Sequence, residues 1–410
     1  MLALLKSNRD LRLIFFAQIV SFLGDWFTFV ALAGMVNEYT GSKFLVSLVL
    51  VSESIPSFLM APIAGPIVDR FDRRRVLIVV SCLQAIAACG LLFVGRDTIW
   101  LGFVCQSLIA GLAAFVMPAI SAAIPNLART PEELNKANVL FGSTWGVMLT
   151  AGAAIGGVFS AVFGRHAAFG ADIATFIVAG LLFVGIKTKL QQHNVGSSSN
   201  RVRPIADMKE AIGLARHDVV IRSLIFSKTT FAIGAGIVSQ LAVLSSDVFH
   251  SGDAGMGFLI AARGVGTGFG PILAMKAARG DLSRILFICG VSGMFFGLFY
   301  LGTAWSPHIV VAFIFVALAH LGGGAQWSTS TYGLQIQTPD ELRGRVMAGD
   351  FAMVTLMLGL TGALSGLISD QIGVRPTISI FAIAALCASS AYMILTTPVR
   401  RALRTPKQPQ

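Results

Sequence analysis

The chain has 410 residues, 55% of them apolar and only 12% charged, and its mean hydropathy is +0.77. Soluble domains carry about a quarter charged residues. The composition therefore excludes a disordered chain, a basic nucleic-acid-binding domain and an ordinary cytosolic enzyme, and it points to a protein whose solvent is lipid.

A helix needs about 20 apolar residues to cross a bilayer. Twelve such runs occur, at approximately 13–36, 44–68, 76–94, 99–127, 137–163, 168–186, 221–248, 256–275, 285–301, 308–335, 346–368 and 376–396. The first is too long and too polar at its centre for a secretory signal, and no small-residue cleavage site follows it. Cys82, Cys89, Cys105, Cys289 and Cys387 fall inside apolar runs and form no C-x-x-C pair. They read as small apolar fillers, with no disulfide framework or zinc site expected.

The net charge of +11 acquires meaning once the cations are placed. With the N-terminus in the cytoplasm, 25 of the 31 lysines and arginines fall in inner segments and four (Lys43, Arg96, Arg165 and Arg375) in outer loops. The other two, Lys228 and Arg263, lie within spans. This asymmetry puts both termini on the cytoplasmic side and makes the charge a topology signal, with no nucleic acid implied.

The chain also repeats itself. T-P-E-E-L at 130–134 follows the fourth span and T-P-D-E-L at 338–342 follows the tenth, 208 residues later. Gly65-Pro66-Ile67 closes the second span, and Gly270-Pro271-Ile272 lies near the close of the eighth, 205 later. G-A-A-I-G at 152–156 in the fifth has its partner in G-A-L-S-G at 362–366 in the eleventh, 210 later. Three matches in order at nearly one offset imply two six-helix halves of the same orientation, related by a pseudo-two-fold along the membrane normal. The expected fold is an all-α membrane protein with a six-helix bundle over 1–186 and a second over 219–397. A cytoplasmic linker at 187–218 would carry a short amphipathic helix at 206–217, and a basic tail would follow at 398–410. Arg201, Arg203 and Lys209 of the linker would meet anionic headgroups or simply stay solvated.

At 65–75 the chain reads G-P-I-V-D-R-F-D-R-R-R, which resembles the loop 2–3 signature of the major facilitator superfamily, G-x-x-x-D-R-x-G-R-R-R/K. Gly24-Asp25, F-V-M-P-A at 115–119, Asp172 and P-D-E-L-R-G-R-V-M-A at 339–348 look like the branch with the enterobactin exporter and macrolide-efflux permeases. The resemblance implies the major facilitator fold and alternating access. It also implies a gate in loop 2–3, formed by Gly65, Asp69, Arg70, Arg73 and Arg74, in which Asp69 faces the N-terminus of helix 11. A carboxylate so placed is favoured by about 0.3–1 kcal/mol; the arginines serve by default in topology and headgroup binding. Helices 5 and 8 would face each other across the halves, with Gly152, Gly156, Gly157, Gly266 and Gly270 allowing close approach. Three features depart from the pattern. Asp72 stands where the signature has its second glycine, so the turn must be made differently. The helix 4 arginine of drug–proton antiporters is missing around 105–107, and Ala153 replaces the proline of the helix 5 antiporter motif. The last two bear on the proton pathway and leave the fold untouched.

A charge inside a span is costly and calls for a cavity or a partner. At 1.5 Å per residue, Asp25 lies about 18 Å along helix 1, and Glu53 about 14 Å along helix 2 from the outer side. Lys228 lies about 10 Å into helix 7 from the cytoplasm, and Arg263 about 10 Å into helix 8 from outside. Two readings stay open. Asp25 or Glu53 carries protons, since a carboxyl in an apolar cavity is hard to ionise, or the acids pair with Arg263 or Lys228 across the halves. Lys228 is also near enough to the interface to snorkel. Asp172, at the outer start of helix 6, is expected to cap that helix.

Further polar and aromatic residues complete the expected cavity for an amphipathic molecule. They are Gln18, Trp26 and Thr28 of helix 1, Trp145 of helix 5, Ser239 and Gln240 of helix 7, and His320, Gln326 and Trp327 of helix 10. His320 reads either as a ligand-binding group or as a hydrogen-bonded packing residue. No G-x-x-x-x-G-K-[ST] loop supports ATP-driven pumping, and no nucleophile–base arrangement marks an enzyme. No metal or cofactor is expected. The reading is a secondary active transporter of the bacterial inner membrane, surrounded by lipid, that exports drug-, macrolide- or siderophore-like small molecules against inward proton flow. A lysophospholipid flippase and an uptake symporter are the alternatives on the same fold. A non-transporting receptor or scaffold is the reading from another class.

Overall fold

The computed structural model describes residues 2–190, 213 and 216–404. Lipid offers the backbone no hydrogen bonds, so a spanning segment must satisfy its own. Twelve helices among the described residues are long and apolar enough to cross a bilayer. They are α1 (Arg9–Thr40), α2 (Lys43–Arg70), α3 (Arg73–Leu91), α4 (Ile99–Leu127), α5 (Pro131–Phe163) and α6 (Arg165–Val184), then α7 (Val219–Val248), α8 (Gly252–Ala278), α9 (Leu282–Ala304), α10 (Ile309–Gln337), α11 (Asp340–Ile372) and α12 (Val374–Leu395). Two short helices, Leu2–Ser7 and Thr397–Arg404, flank the set. Large apolar side chains such as Phe93 and Ile394 stand 74% and 73% exposed, as contact with acyl chains requires.

Side chains at the helix starts satisfy the orphan N–H groups there. Asn8, Ser42 and Thr130 cap α1, α2 and α5. Asp72 caps α3, its Oδ1 accepting from Arg75 N at 2.9 Å. The turn at the signature's second glycine position therefore needs no left-handed residue: φ at Asp72 is -57°. Asp281, 209 residues later, caps α9 through the same contact, to Arg284 N at 2.9 Å. Another pair at this spacing is Gly164 and Gly373, the single-residue links between α5 and α6 and between α11 and α12. Their φ values of 87° and 88° lie where a side chain is strained.

Contacts divide the chain into two units, 1–202 with 251–258, and 203–250 with 259–410. In the first, α1 packs on α5 and α6, α2 on α4, and α3 on α4 and α6. In the second, α7 packs on α11 and α12, α9 packs on α10 and α12, and α8 meets α10 through Gly266 and Gly270. Adding six to each helix number of the first set yields the second, so the repeat inferred from motifs recurs in the packing. One apolar core of the first unit gathers where α1 and α3 begin and α4 and α6 finish, around Leu11, Ile14, Leu77, Ile120 and Phe183. Its counterpart in the second unit surrounds Ile221, Leu224, Ile285, Leu286 and Leu334.

The start of the expected linker is anchored. Asp10 Oδ2 accepts from Thr188 N at 2.8 Å and Thr188 Oγ1 at 2.6 Å, and Leu190 O accepts from Asn126 Nδ2 at 2.9 Å. The linker's amphipathic segment, with Arg201, Arg203 and Lys209, lies outside the described residues.

α7 is irregular. It passes through a 3-10 turn at Gly236–Ser239 and a π turn at Leu244–Val248. Hydroxyls of α11 meet backbone carbonyls there: Thr361 donates to Ala232 O at 3.1 Å and Ser365 to Gly236 O at 2.9 Å. Irregular backbone at membrane depth survives where neighbouring protein re-satisfies it in this way.

Candidate proton and substrate sites

In the first unit, acids gather on three helices. Asp172 is fully buried; its Oδ2 accepts from Thr28 Oγ1 of α1 at 2.5 Å, and its Oδ1 from Thr175 Oγ1 at 3.2 Å. Because α6 already begins at Arg165, Asp172 sits in the helix interior and is not the cap expected of it. Gly24 lets α1 approach this carboxylate: a Cβ there would lie 2.2 Å from Asp172 Oδ1 and 2.0 Å from Thr175 Oγ1. The next residue, Asp25, is half-buried and close enough to Asp172 and Glu53 to feel both charges. Among the described residues Asp25 has no hydrogen-bond or ion-pair partner. Glu53 on α2 is exposed.

The second unit resolves its buried charge differently. Lys228 of α7 donates to Asp350 of α11 and, at 2.8 Å, to Thr331 Oγ1 of α10; its ammonium lies 4.8 Å from the Trp327 ring centroid. Both side chains of the ion pair are 2% exposed. Lys228 therefore neither snorkels nor remains available to the acids of helices 1 and 2, because an acid in its own unit claims it. Asp350 went unnoticed in the sequence, although it lies inside the eleventh apolar run, where any carboxylate signals a partner.

Other expected cavity residues turn out to hold their own unit together. Gln326 Nε2 donates to Ser227 O and, at 2.9 Å, to Thr230 Oγ1. Gln240 Nε2 lies 3.2 Å from both Ser239 Oγ and Ser365 Oγ. His320 is buried with Nε2 2.8 Å from the Tyr300 hydroxyl, the packing alternative considered for it. Gln18 is buried against Met117, and Thr28 is committed to Asp172. These hydrogen bonds have one physical cause. A polar group in a helix surrounded by lipid and protein takes the nearest hydrogen-bond partner, and that partner is here on an adjacent helix. The half-buried residues of the set are Asp25, Trp26, Arg263 and Trp327, with Glu53 exposed; Trp145's side chain lies outside the described residues.

The glycines are redistributed as well. Gly152 and Gly156 make room for Trp26 and Phe27 of α1, while Gly266 and Gly270 receive the α10 backbone, with Leu321 O 2.1 Å from a Cβ at Gly270. Of the five expected between helices 5 and 8, Gly157 alone meets α8, at Gly257.

Loop 2–3 also acts through contacts beyond topology. Arg73 donates to Ala122 O at 2.8 Å and Leu190 O at 3.1 Å; Arg74 donates to Phe183 O at 3.2 Å and to Val184 O. Both thus cap carbonyls near the ends of α4 and α6, where a cation is favoured by the helix dipole. Arg70 is exposed, Gly65 faces open space, and the Asp69 side chain lies outside the described residues.

A polar cluster that sequence reasoning missed closes the opposite end of the first unit. Arg165 holds Asp253 through Nε at 2.8 Å and a second contact at 3.1 Å, and it also pairs with Glu38. Ser160 donates to Asp253 at 2.6 Å. A cavity of about 350 Å³ lies beside them, lined also by Met35, Tyr39 and His166. Counting Arg165 only as an outer-loop cation hid its role, because its partners are 88 and 127 residues away.

Comparison with known proteins agrees with this architecture. The sequence profile of the Major Facilitator Superfamily matches residues 14–347. The chain is 22% identical over 372 residues to the putative bacilysin exporter BacE of Bacillus subtilis (strain 168), covering 90% of each protein. It is 26% identical over 403 residues to the multidrug efflux pump Tap of Mycobacterium tuberculosis (strain ATCC 25618 / H37Rv), covering 93% of this chain and 92% of that one. In structure it resembles a bacterial homologue of the human lysosomal transporter Spinster (TM-score 0.76, 14% identity, 97% and 98% of the two chains). It also resembles the nucleoside transporter NupG (TM-score 0.73, 15% identity, 94% and 98%). With its twelve membrane-length helices and a match across most of its length, this chain belongs to the Major Facilitator Superfamily and is an integral membrane transporter, not an enzyme.

Proposed function

We propose that the protein is a proton-coupled exporter of amphipathic small molecules, working by alternating access in the bacterial inner membrane with both termini in the cytoplasm. The observation that carries this reading is Asp25: an acid at mid-depth in α1, half-buried beside two further carboxylates, with no partner among the described residues to hold it permanently ionised. A carboxylate within a span calls for a partner or a function, and proton carriage is the function an unpartnered acid at that depth serves. Trp26 and Trp327 supply aromatic surface of the kind that amphipathic ligands occupy. Likeness to the bacilysin exporter BacE and the multidrug efflux pump Tap supports the outward direction, and drug-, macrolide- or siderophore-like compounds are the first substrates to try.

The test is efflux from cells, or uptake into inverted vesicles, with the proton gradient imposed and then collapsed. Gradient-dependent movement out of the cytoplasm that disappears in Asp25→Asn supports the reading. Transport indifferent to collapse of the pH difference and the membrane potential defeats the coupling. Inward net flux makes the protein an uptake symporter, and translocation of labelled lysolipid in proteoliposomes makes it a flippase.

A further inference from the structure

We propose that the Lys228–Asp350 pair is a second proton-exchange site, carried by the second unit: a proton taken up on Asp350 Oδ1 opens the pair while Lys228 keeps its charge. The two members are unequally provided for. Lys228 has three favourable neighbours, namely Asp350, the Thr331 hydroxyl at 2.8 Å and the face of Trp327 at 4.8 Å. Asp350 spends Oδ2 on Lys228, and its buried Oδ1 has no hydrogen-bond partner among the described residues. A buried ion pair stabilises a fold when its remaining lone pairs are satisfied, since otherwise desolvation offsets the attraction. This pair fails that condition on the acid side alone. Removing the charge of Asp350 relieves a bare carboxylate oxygen, whereas Lys228 retains a hydroxyl acceptor and a cation–π contact.

Charged and titratable groups on the packed elements leave this asymmetry intact. From α7 the charge facing Asp350 is Lys228 itself. α10 contributes Thr331 and Trp327, which are neutral. α9 places Cys289 near Lys228, and α12 places Tyr392 near Cys289. The exchange balances simply: hydronium from the aqueous phase gives a proton to Oδ1, an O–H bond forms, and the carboxylate loses its charge. The ammonium keeps its three protons, and the pair passes from net neutral to a single positive charge. Opening it removes one of the ties between α7 and α11, leaving those of Thr361 and Ser365 next to the irregular stretch of α7.

The inference does not rest on Asp25, and its test reads no transport, so the two readings fail separately. Infrared difference spectra of the full-length protein in lipid are recorded between about pH 5 and 9. A carboxylic C=O band component that grows on acidification is expected in the wild type; it persists in Asp25→Asn, where Asp25 contributes none, and that component is lost in Asp350→Asn. In Lys228→Gln the same band is expected at a pH higher by about one unit or more. No band in the wild type, or a band unchanged in Asp350→Asn, overturns the proposal. If Asp350→Asn does not fold, Asp350→Glu replaces it: a shifted band supports the proposal, and an unmoved one overturns it.

Discussion

The two units share a frame and differ in what they bury inside it. Each packs its helices in the same pattern, caps its third helix with an aspartate and links its last two helices through one glycine with positive φ. Yet the first unit collects three acids, Asp25, Glu53 and Asp172, with hydroxyls of Thr28 and Thr175 as the hydrogen-bond donors to Asp172. The second sets a lysine against an aspartate and finishes the arrangement with Thr331 and Trp327. Duplication thus preserved the contacts that lipid and packing enforce. Interior charge, which packing leaves unspecified, diverged: one half gathers acids, while the other pairs Lys228 with Asp350 and also carries Arg263 within a span.

That contrast can be broken at several points. The largest effect on transport is expected from Asp25→Asn, which lowers gradient-driven export at least about tenfold, roughly 1.4 kcal/mol of lost coupling, with thermal stability unchanged. A transport assay beside a melting curve separates the two, and a normal pH dependence in this variant would remove the distinction between an active and a neutralised interior. Lys228→Met has the largest effect on stability. Stranding an ionised Asp350 costs about 3–5 kcal/mol at alkaline pH, and less at acid pH, where the stranded carboxylate takes a proton. Equal losses at both pH values, read from unfolding in detergent, would make the pair purely structural.

Gly24→Ala sharpens the comparison at close range. Its Cβ would collide with Asp172 and Thr175, and overpacking of that kind costs about 1–3 kcal/mol. Gly268→Ala, with nothing within 4 Å, stays within about 0.5 kcal/mol. A modest effect tests the shared frame itself: Asp72→Ala and Asp281→Ala each cost about 1 kcal/mol by loss of a helix cap. A large difference between those two melting shifts would show that the repeated turns are not equivalent.

Much of the frame was legible before any coordinates. The twelve apolar runs became twelve helices because lipid leaves the backbone no alternative. The offset near 208 between T-P-E-E-L and T-P-D-E-L reappears as the matched packing of the halves. The site was legible only in part. Asp25, Glu53, Lys228 and Arg263 stood out because a charge in a span is rare. Asp350 carried the same signal and was overlooked beside the cluster of charges that starts its helix. Asp72 and Asp281 formed a fourth repeat match that was also passed over. The roles of Arg73, Arg74, Gly152 and Gly266 could not have been read from spacing, because each meets a helix distant in sequence.

Hydropathy, cation placement and motif spacing are properties of the chain in one dimension, and they suffice for membrane insertion, span count and duplication. Which side chain meets which depends on the rotation of each helix about its axis, where one residue's step turns the contact by about 100°. Only the packed structure decided that Lys228 belongs to Asp350, that Thr28 serves Asp172 and that Asp25 has no hydrogen-bond or ion-pair partner among the described residues.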